Sequence, residues 1–302
     1  MNVLEQLATT QDPVLRKMIE ARRDLALESN VMNPCVASFD NQPTWDNWSK
    51  QPDPFKKEDH LFPKEVAKYA ESSSGGWLWM DVVKYGCSKI VLPYIEDGLG
   101  SVEDLGRDEP LSGYLYADRK VRHISVLGGR LSSGRICKIE AERATFTGVR
   151  FNSGQFENCL FISSEWDQCS LSRVVFRDCK ILGATFRENK WSNVIFDRCK
   201  IEYGTFESVR ASAPIAFVDT QFKQVTFTGC DFPKGHMSGC ELESVEFIGG
   251  GYHEFDLRDN DLSRIRGAAN LHGVFISPAQ RQELGEALVS ELDLRYPEDC
   301  GQ

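Results

Sequence analysis

The feature that most constrains the fold of this sequence is an unbroken five-residue period of apolar residues. Two residues before most of these positions stands a small residue, such as Gly154, Cys159 or Ala184. A period of five matches neither the 3.6 residues of an α-helix nor the two residues of a β-strand. The stretch is therefore a structural repeat. Its sixteen apolar centres are Leu131, Ile136, Ala141, Phe146, Phe151, Phe156, Phe161, Trp166, Leu171, Phe176, Ile181, Phe186, Trp191, Phe196, Ile201 and Phe206.

This period predicts a chain that turns inward every five residues and closes a square coil of about twenty residues. The centre and the small residue two places before it face the same side of an extended segment. Coils stacked as parallel strands, about 4.8 Å apart, place residues twenty apart in columns. A β-sandwich rich in phenylalanine is the alternative, but sixteen centres in register do not arise from a two-residue period. The expected aromatic columns are Phe146, Trp166, Phe186 and Phe206, and Phe156, Phe176 and Phe196.

Residues 184–188 (Ala-Thr-Phe-Arg-Glu) and 204–208 (Gly-Thr-Phe-Glu-Ser) fit a known five-residue pattern, A-[DN]-L-x-x with Leu or Phe at its centre. Through these segments the sequence resembles the pentapeptide-repeat proteins. The resemblance implies a mainly β fold, a right-handed quadrilateral parallel β-helix. Phenylalanine outnumbers leucine at the centre here, and the Asp/Asn position is largely lost, so the resemblance leaves the subfamily open.

The sequence predicts three parts. Residues 1–120 do not repeat and are expected to form a mainly helical N-terminal domain. Residues 121–275 are expected to form the β-helix, with about seven coils. Residues 276–302 are expected to form a C-terminal capping helix and a tail.

Within the first part, Asp12 and Pro13 are typical of a helix start, and the helix is expected to continue to about Ser29. Residues 33–62 indicate a loop or an irregular arm. Pro63 is expected to open a second helix that ends near Glu71. The next stretch, from Trp77 to Ile95, is apolar and is expected to pack against the first coil, whereas Gly98 to Asp118 is acidic and rich in turns. We expect core packing for most of the tryptophans Trp45, Trp48, Trp77 and Trp79.

The repeat register slips by one residue near Pro214 and resumes at Phe217. One extra residue at a corner is a bulge, and proline suits a bulge because it lacks an N–H.

The final helix is expected to use Ser277 as its N-cap and Pro278 as its first residue. Leu284, Leu288 and Leu292 would form a single apolar stripe. We expect this helix to cover the open ladder groups of the last coil. The family resemblance also implies a role for it in homodimer formation.

The ten cysteines would fit a secreted disulfide scaffold by number, but their positions argue against it. Buried cysteine acts as a small hydrophobe, and disulfides belong to oxidising compartments. The chain has no run of eighteen apolar residues and no visible secretory signal, so we expect a cytoplasmic protein without a membrane span. Six cysteines fall on the small inward position of the repeat: Cys159, Cys169, Cys179, Cys199, Cys230 and Cys240.

No sequence motif indicates catalysis, and we expect no catalytic, cofactor-binding or metal-binding residues. His236 with Cys240 is the most suggestive metal pair, but the repeat places these side chains on opposite sides of the wall. The column of Cys159, Cys179 and Cys199 is expected to be a ladder of buried thiols.

The first part of the chain also contains residues that could carry chemistry. His60 beside Asp59, and the acidic residues Asp104 and Asp118, could belong to a site there, but their spacing favours solvated loops.

Charge is unevenly distributed along a chain whose net charge is −10. Residues 1–120 carry −6, residues 121–240 carry +4, and residues 241–275 and 276–302 carry −4 each. In the basic segment, no clustered Lys/Arg stripe and no stacking aromatic is expected on an outward position. Direct nucleic-acid binding is therefore disfavoured.

Three functional hypotheses follow. The first is a non-enzymatic scaffold that presents a rigid β-helix surface to a protein partner. The second comes from the resemblance, because some pentapeptide-repeat proteins protect DNA gyrase from inhibitors and are thought to mimic DNA; here only the acidic end of the rod qualifies. The third is that residues 1–120 form a small enzyme or effector domain positioned by the rod.

Overall fold

A computed structural model of the chain describes residues 67–71, 78–106 and 110–292, with side-chain surroundings from Asp81 onward. These residues belong to one compact unit. The predicted helix at residues 12–29, the predicted arm at residues 33–62, and His60 lie outside the described residues and stay predictions. In the described part of the chain, no helix combines the length and apolar character needed to cross a bilayer.

The described chain contains a small antiparallel sheet and a long parallel solenoid of eighteen strands. The small sheet consists of β1 (Ala67–Glu71), β2 (Leu78–Tyr85) and β3 (Ser88–Val91). The first half of the solenoid consists of β4 (Gly100–Ser101), β5 (Leu111–Ser112), β6 (Tyr114–Leu127), β7 (Arg130–Thr147), β8 (Arg150–Glu157), β9 (Leu160–Phe161), β10 (Ser164–Asp167), β11 (Ser170–Arg177) and β12 (Lys180–Leu182). The second half consists of β13 (Ala184–Arg187), β14 (Lys190–Asp197), β15 (Lys200–Glu202), β16 (Thr205–Glu207), β17 (Arg210–Ala211), β18 (Ile215–Val218), β19 (Gln221–Thr228), β20 (His236–Ser238) and β21 (Glu241–Ile248). A 3-10 helix (Ala268–Asn270) and helix α1 (Gln280–Glu291) follow.

Neighbouring coils pair in parallel with an offset of twenty residues. Leu171 pairs with Phe151 in the coil before it and with Trp191 in the coil after it. Because the offset is constant over these three coils, each side chain stands above its equivalent in the next coil. The coil period predicted from the sequence is confirmed.

The predicted slip is also confirmed. Trp191 pairs with Ala211 at an offset of twenty, and Val194 pairs with Ile215 at an offset of twenty-one. The extra residue therefore lies between these pairs, in the segment that contains Pro214.

Aromatic rings fill the interior in the expected columns. Phe176 lies 4.6 Å from Phe156 and 4.6 Å from Phe196, measured between ring centroids, and the three rings are nearly parallel. In the second column, Phe146–Trp166, Trp166–Phe186 and Phe186–Phe206 are 4.2, 5.5 and 4.9 Å apart. Stacked rings at strand spacing add to the free energy gained from burial.

Another inward column, which begins with cysteines, ends in two side-chain amides, and the second of these belongs to helix α1. The Asn260 side-chain amide donates to the Met237 carbonyl (3.0 Å) and accepts from the Cys240 N–H (2.9 Å). Twenty residues later, the Gln280 amide donates to the carbonyls of Leu257 (2.9 Å) and Asn260 (2.8 Å). The first residue of helix α1 therefore continues the twenty-residue spacing of the coils. The column consists of Cys159, Cys179, Cys199, Thr220, Cys240, Asn260 and Gln280.

Two carboxylates of α1 bind the open N–H groups of the last coil. Glu283 accepts from the Leu262 N–H at 3.0 Å. Glu291 accepts from the N–H groups of Gly267 (2.6 Å) and Ala268 (3.2 Å). The capping role predicted for this helix is confirmed, since these groups would otherwise lack partners in the ladder.

The predicted apolar stripe of α1 is wrong beyond Leu284. Leu288 and Leu292 are 37% and 64% exposed, whereas Ala287 is fully buried. The last coil presents backbone donors, so it is covered by carboxylates and a small residue rather than by leucines. The dimer role implied by the resemblance stays a prediction.

The helix predicted to end near Glu71 is wrong over its described part. Residues 67–71 form β1, which pairs antiparallel with β2, as in Tyr69 with Met80. Strand pairing with β2 satisfies the backbone groups that a helix would have bonded internally, so tertiary pairing outweighs the local helix signal.

The solenoid begins earlier than the predicted boundary at residue 121. Gly100 already pairs with Tyr114, and Leu115 pairs with Arg135. The segment from Gly98 to Asp118, expected to be turns, therefore contributes β4, β5 and the start of β6.

The hairpin of β2 and β3 packs on the outside of later coils, so its expected contact with the first coil is wrong. The Val91 N–H donates to the Asn193 side-chain carbonyl at 2.9 Å. Beneath the hairpin, Val175, Ile195 and Ala216 point outward yet are at most 2% exposed. An apolar outer column of this kind needs a cover, and the hairpin supplies one.

Candidate interaction surface

The sequence indicated no catalytic, cofactor or metal residue. Within the described ranges 81–106 and 110–292, no group of three His, Cys, Asp or Glu side chains is placed to hold a metal ion. The candidate pair His236 and Cys240 is separated by the wall. The His236 ring faces Tyr85 of the hairpin at 5.9 Å, whereas the Cys240 thiol donates to the Phe217 carbonyl inside the coil (3.4 Å).

A shallow pocket of about 370 Å³ lies where the hairpin turn meets the last coils. In it, Arg258 binds Asp256 through two hydrogen bonds of 2.8 and 2.7 Å. The Nδ1 atom of His236 lies 3.5 Å from Asp256 Oδ2 and forms no hydrogen bond with the described residues. The pocket is open and lined by Gly86, His236, Ser238, Asp256, Arg258, Asp259 and Ser277.

The protonation of this pocket is set by burial and by Arg258. Burial lowers the pKa of His236, and the attraction of Asp256 only partly offsets it. Burial alone would raise the pKa of Asp256, but the Arg258 hydrogen bonds and charge hold it below its usual value. At neutral pH the pair is a neutral imidazole beside a carboxylate neutralised by arginine, which is an arrangement for packing the hairpin.

This burial makes hairpin docking sensitive to pH. The pKa of His236 is lower in the folded chain than its value of about 6.5 in the unfolded chain. Between these two pKa values the unfolded state therefore binds more protons than the folded state. The free energy of unfolding consequently falls as the pH drops below about 6.5. We expect exchange protection of the Val91 amide, corrected for intrinsic rates, to fall from pH 7 to pH 5, and His236→Gln to flatten this profile. His253→Gln, at an exposed histidine, is the control. An unchanged profile in His236→Gln would contradict the assignment.

The thiols at the small inward positions of the repeat are buried. Burial raises the pKa of Cys169 to about 11 and the pKa values of Cys230 and Cys240 to about 12. Burial and the neighbouring thiols of Cys159 and Cys199 raise the pKa of the Cys179 thiol well above its ordinary value. None of the cysteines in the described ranges forms a disulfide.

Thiol labelling checks this burial. Because the thiolate is the reactive form, iodoacetamide at pH 8 is expected to modify the exposed Cys87 and to leave Cys169 and Cys240 unmodified until the chain is denatured. Peptide mapping by mass spectrometry gives the extent at each position. Modification of Cys240 in the native chain at the rate of Cys87 would contradict the structure.

One wall of the solenoid, here called the ion-pair wall, carries charges that neutralise each other between coils. Arg177 binds Asp197 at 3.0 Å with both side chains buried, and Arg198 binds Asp178 at 2.8 Å. These pairs join residues twenty apart, so the coil register that builds the core also sets the surface pairing. Much of the positive charge of residues 121–240 is therefore internally neutralised.

Another wall carries a line of cations whose charge is not neutralised in this way. It is formed by residues 127–130, 147–150, 167–170, 187–190 and 207–210 and is here called the arginine wall. Register pairs connect the line across five coils through Ser170. The expectation that no Lys/Arg stripe stands on outward positions is wrong, because residues spread along the sequence become neighbours at a spacing of twenty. The exposed cations of the line are Arg130, Arg150, Lys190 and Arg210; the wall also holds Arg187, which pairs with Glu207 at 3.2 Å.

The acidic end predicted from the sequence lies on the last coils. Glu241, Asp259 and Asp261 are exposed there. Two other acids lie across from lysines of the preceding coil, Glu243 at 3.7 Å from Lys223 and Glu254 at 3.9 Å from Lys234.

Comparisons with known proteins add the following. No protein-family model matches the chain, and no curated protein matches it. Among solved structures, two of QnrB1, a plasmid-mediated fluoroquinolone resistance protein, are similar at 15% and 14% identity with TM-scores of 0.36 and 0.42. They cover 56% and 63% of this chain and 97% and 94% of their own. HetL, a pentapeptide-repeat protein involved in heterocyst differentiation regulation in the cyanobacterium Nostoc sp. strain PCC 7120, is similar at 12% identity and TM-score 0.20, covering 55% and 86%. Similarity at this level says nothing about what this chain binds.

Proposed function

We propose that this chain, which has the pentapeptide-repeat architecture in its own coil geometry, is a non-enzymatic scaffold that presents the outer walls of its solenoid to a protein partner. The observation that carries the proposal is the packing of the coils. Aromatic columns fill the interior, so recognition takes place on outward side chains, and those side chains are held in register by the ladder. A rigid surface of this kind loses little conformational entropy on binding.

The walls differ in what they offer a partner. The ion-pair wall is covered by the hairpin over Val175 and Ile195, and its charges are largely neutralised by pairs such as Arg177 with Asp197. The arginine wall remains exposed and charged. The pocket beside His236 has a shallow, open form, which suits hairpin packing better than enclosure of a substrate.

A reducing compartment suits this chain, because its described cysteines are unpaired thiols, most of them buried. We propose that it is a cytoplasmic protein.

The proposal is tested by affinity capture with the tagged full chain from extract of its native cell. We expect one or a few proteins to be retained in stoichiometric amount and displaced by excess untagged chain, which is the control for specificity. Native mass spectrometry of the purified chain is expected to show no co-purifying small molecule. A tightly bound cofactor, or turnover of a metabolite by the chain, would overturn the proposal.

Topoisomerase protection by DNA mimicry is the second candidate, and the acidic last coils favour it. A DNA mimic needs a continuous negative surface, because duplex DNA carries one charge per about 1.7 Å. The cations of the arginine wall, such as Arg150 and Arg210, interrupt that surface along the same rod. A gyrase supercoiling assay with a quinolone decides: relief of inhibition by the chain supports mimicry, and no relief at stoichiometric excess removes it.

A further inference from the structure

We propose that the arginine wall binds an acidic segment of a protein partner. This proposal rests on the proposed scaffold function and adds the chemistry of the partner to it. The feature that carries it is the line of exposed cations Arg130, Arg150, Lys190 and Arg210.

The line follows from the coil register. Arg130 pairs with Arg150, and Ser170 lies between Arg150 and Lys190, which pairs with Arg210. Coils stack at about 4.8 Å, so the line is about 19 Å long. The line ends at an acid, because the backbone of Arg210 pairs in parallel with that of Asp231 in the next coil.

The charge of this line is available to a partner. Other cations meet an acid twenty residues away, as Arg177 meets Asp197 (3.0 Å) on the ion-pair wall and Arg187 meets Glu207 (3.2 Å) beside the line itself. Within the described part of the chain, none of the four cations forms such an ion pair. Two pairs of like charges in adjacent coils repel each other, so an acidic partner relieves repulsion as well as adding attraction.

The same wall favours a protein over a nucleic acid. It carries no outward aromatic residue for base stacking. At the start of the line, Leu127 is 84% exposed and offers an apolar contact. Protein interfaces combine apolar anchors with arginine, whereas a phosphate backbone gains nothing from an exposed leucine.

The length of the line suits an extended acidic segment. In an extended peptide, side chains on one face repeat at about 6.8 Å, so four carboxylates at alternate positions span about 20 Å. That span matches the cation line.

The test measures fluorescence anisotropy of a labelled twelve-residue peptide with glutamate at alternate positions, added to the full chain at about 50 mM salt. The variants are Arg130→Glu with Arg150→Glu, and, as the matched control, Arg122→Glu with Arg143→Glu. Arg122 and Arg143 are exposed in the same two coils on another wall, so the change in net charge is identical. Circular dichroism and thermal unfolding of both variants confirm that each is folded.

We expect the first pair of substitutions to weaken peptide binding at least tenfold and the control pair to change it less than twofold. Equal weakening by both pairs, or no binding of the peptide by the unsubstituted chain, would overturn the proposal. A twelve-base-pair DNA duplex that binds the line more tightly than the peptide would also overturn it, in favour of nucleic acid. Affinity capture can still succeed in each of these cases, so the scaffold function is judged separately.

Discussion

Replacement of Phe176 by alanine is expected to destabilise the solenoid by about 3–5 kcal/mol, the range for removal of a buried phenylalanine. Phe176 is fully buried and its ring lies 4.6 Å from the rings of both column neighbours, Phe156 and Phe196. The loss combines buried apolar area, the cavity left in the column and two stacking contacts. Because both neighbouring coils lose a contact at once, collapse around the cavity would have to move three coils together.

The measurement is urea unfolding followed by far-ultraviolet circular dichroism, with the midpoint and slope compared between variants. Phe275→Ala is the matched control, since the same atoms are removed at a position that is 41% exposed. We expect the control to shift the midpoint by a small fraction of the Phe176→Ala shift. Similar shifts for the two variants would contradict the column packing.

Replacement of Gly250 by alanine is expected to destabilise the last coils by about 3 kcal/mol, because backbone strain and overpacking act together. Gly250 has φ of 95°, and a Cβ there would lie 2.2 Å from the carbonyl oxygen of Cys230 and 3.0 Å from its nitrogen. Both atoms belong to the backbone of the preceding coil, so neither can turn aside.

Gly249→Ala is the control for this prediction. Gly249 also has positive φ (61°), but a Cβ there meets nothing within 4 Å. The equivalent corners of earlier coils carry Glu188 and Ser208 at φ near 50°, so the fold accepts side chains there. We expect Gly249→Ala to cost about 1 kcal/mol or less in the same urea titration. An equal cost at the two glycines would show that φ alone, and not the approach of the coils, determines the effect.

The sequence was sufficient to predict the coil, because its signal repeats sixteen times and depends on residue size alone. Both aromatic columns and the slip near Pro214 followed from counting in fives and twenties. The small sheet was not predictable in this way. The segment at residues 67–71 reads Ala-Lys-Tyr-Ala-Glu, which carries no strand alternation, and it is β1 only because β2 pairs with it.

Two surface features could have been predicted from the sequence if outward residues had been compared at a spacing of twenty. Val175 and Ile195 are apolar at outward positions twenty residues apart, which indicates a covered wall. The cations Arg130, Arg150 and Lys190 occupy one register position, although a charge count along the sequence spreads them over sixty residues. On a solenoid, charge must be counted by column before a surface is judged.

The cap shows a limit of hydrophobic periodicity. The leucine pattern in α1 predicted an apolar contact face, but the end of a β-ladder presents unpaired N–H groups. Glu283 and Glu291 meet that requirement, and no apolar residue could. Prediction of such a helix therefore has to begin from the groups that it covers.

The most direct test of the central claim, that an outer wall of the rigid solenoid contacts a protein partner, is hydroxyl-radical footprinting of the full chain alone and with the protein that it captures. Leu127 reports on the arginine wall and Tyr203, 51% exposed, on another wall. We expect oxidation of Leu127 to fall at least threefold on binding while oxidation of Tyr203 is unchanged. Unchanged oxidation of Leu127, or failure of the chain to capture any specific protein, would contradict the account.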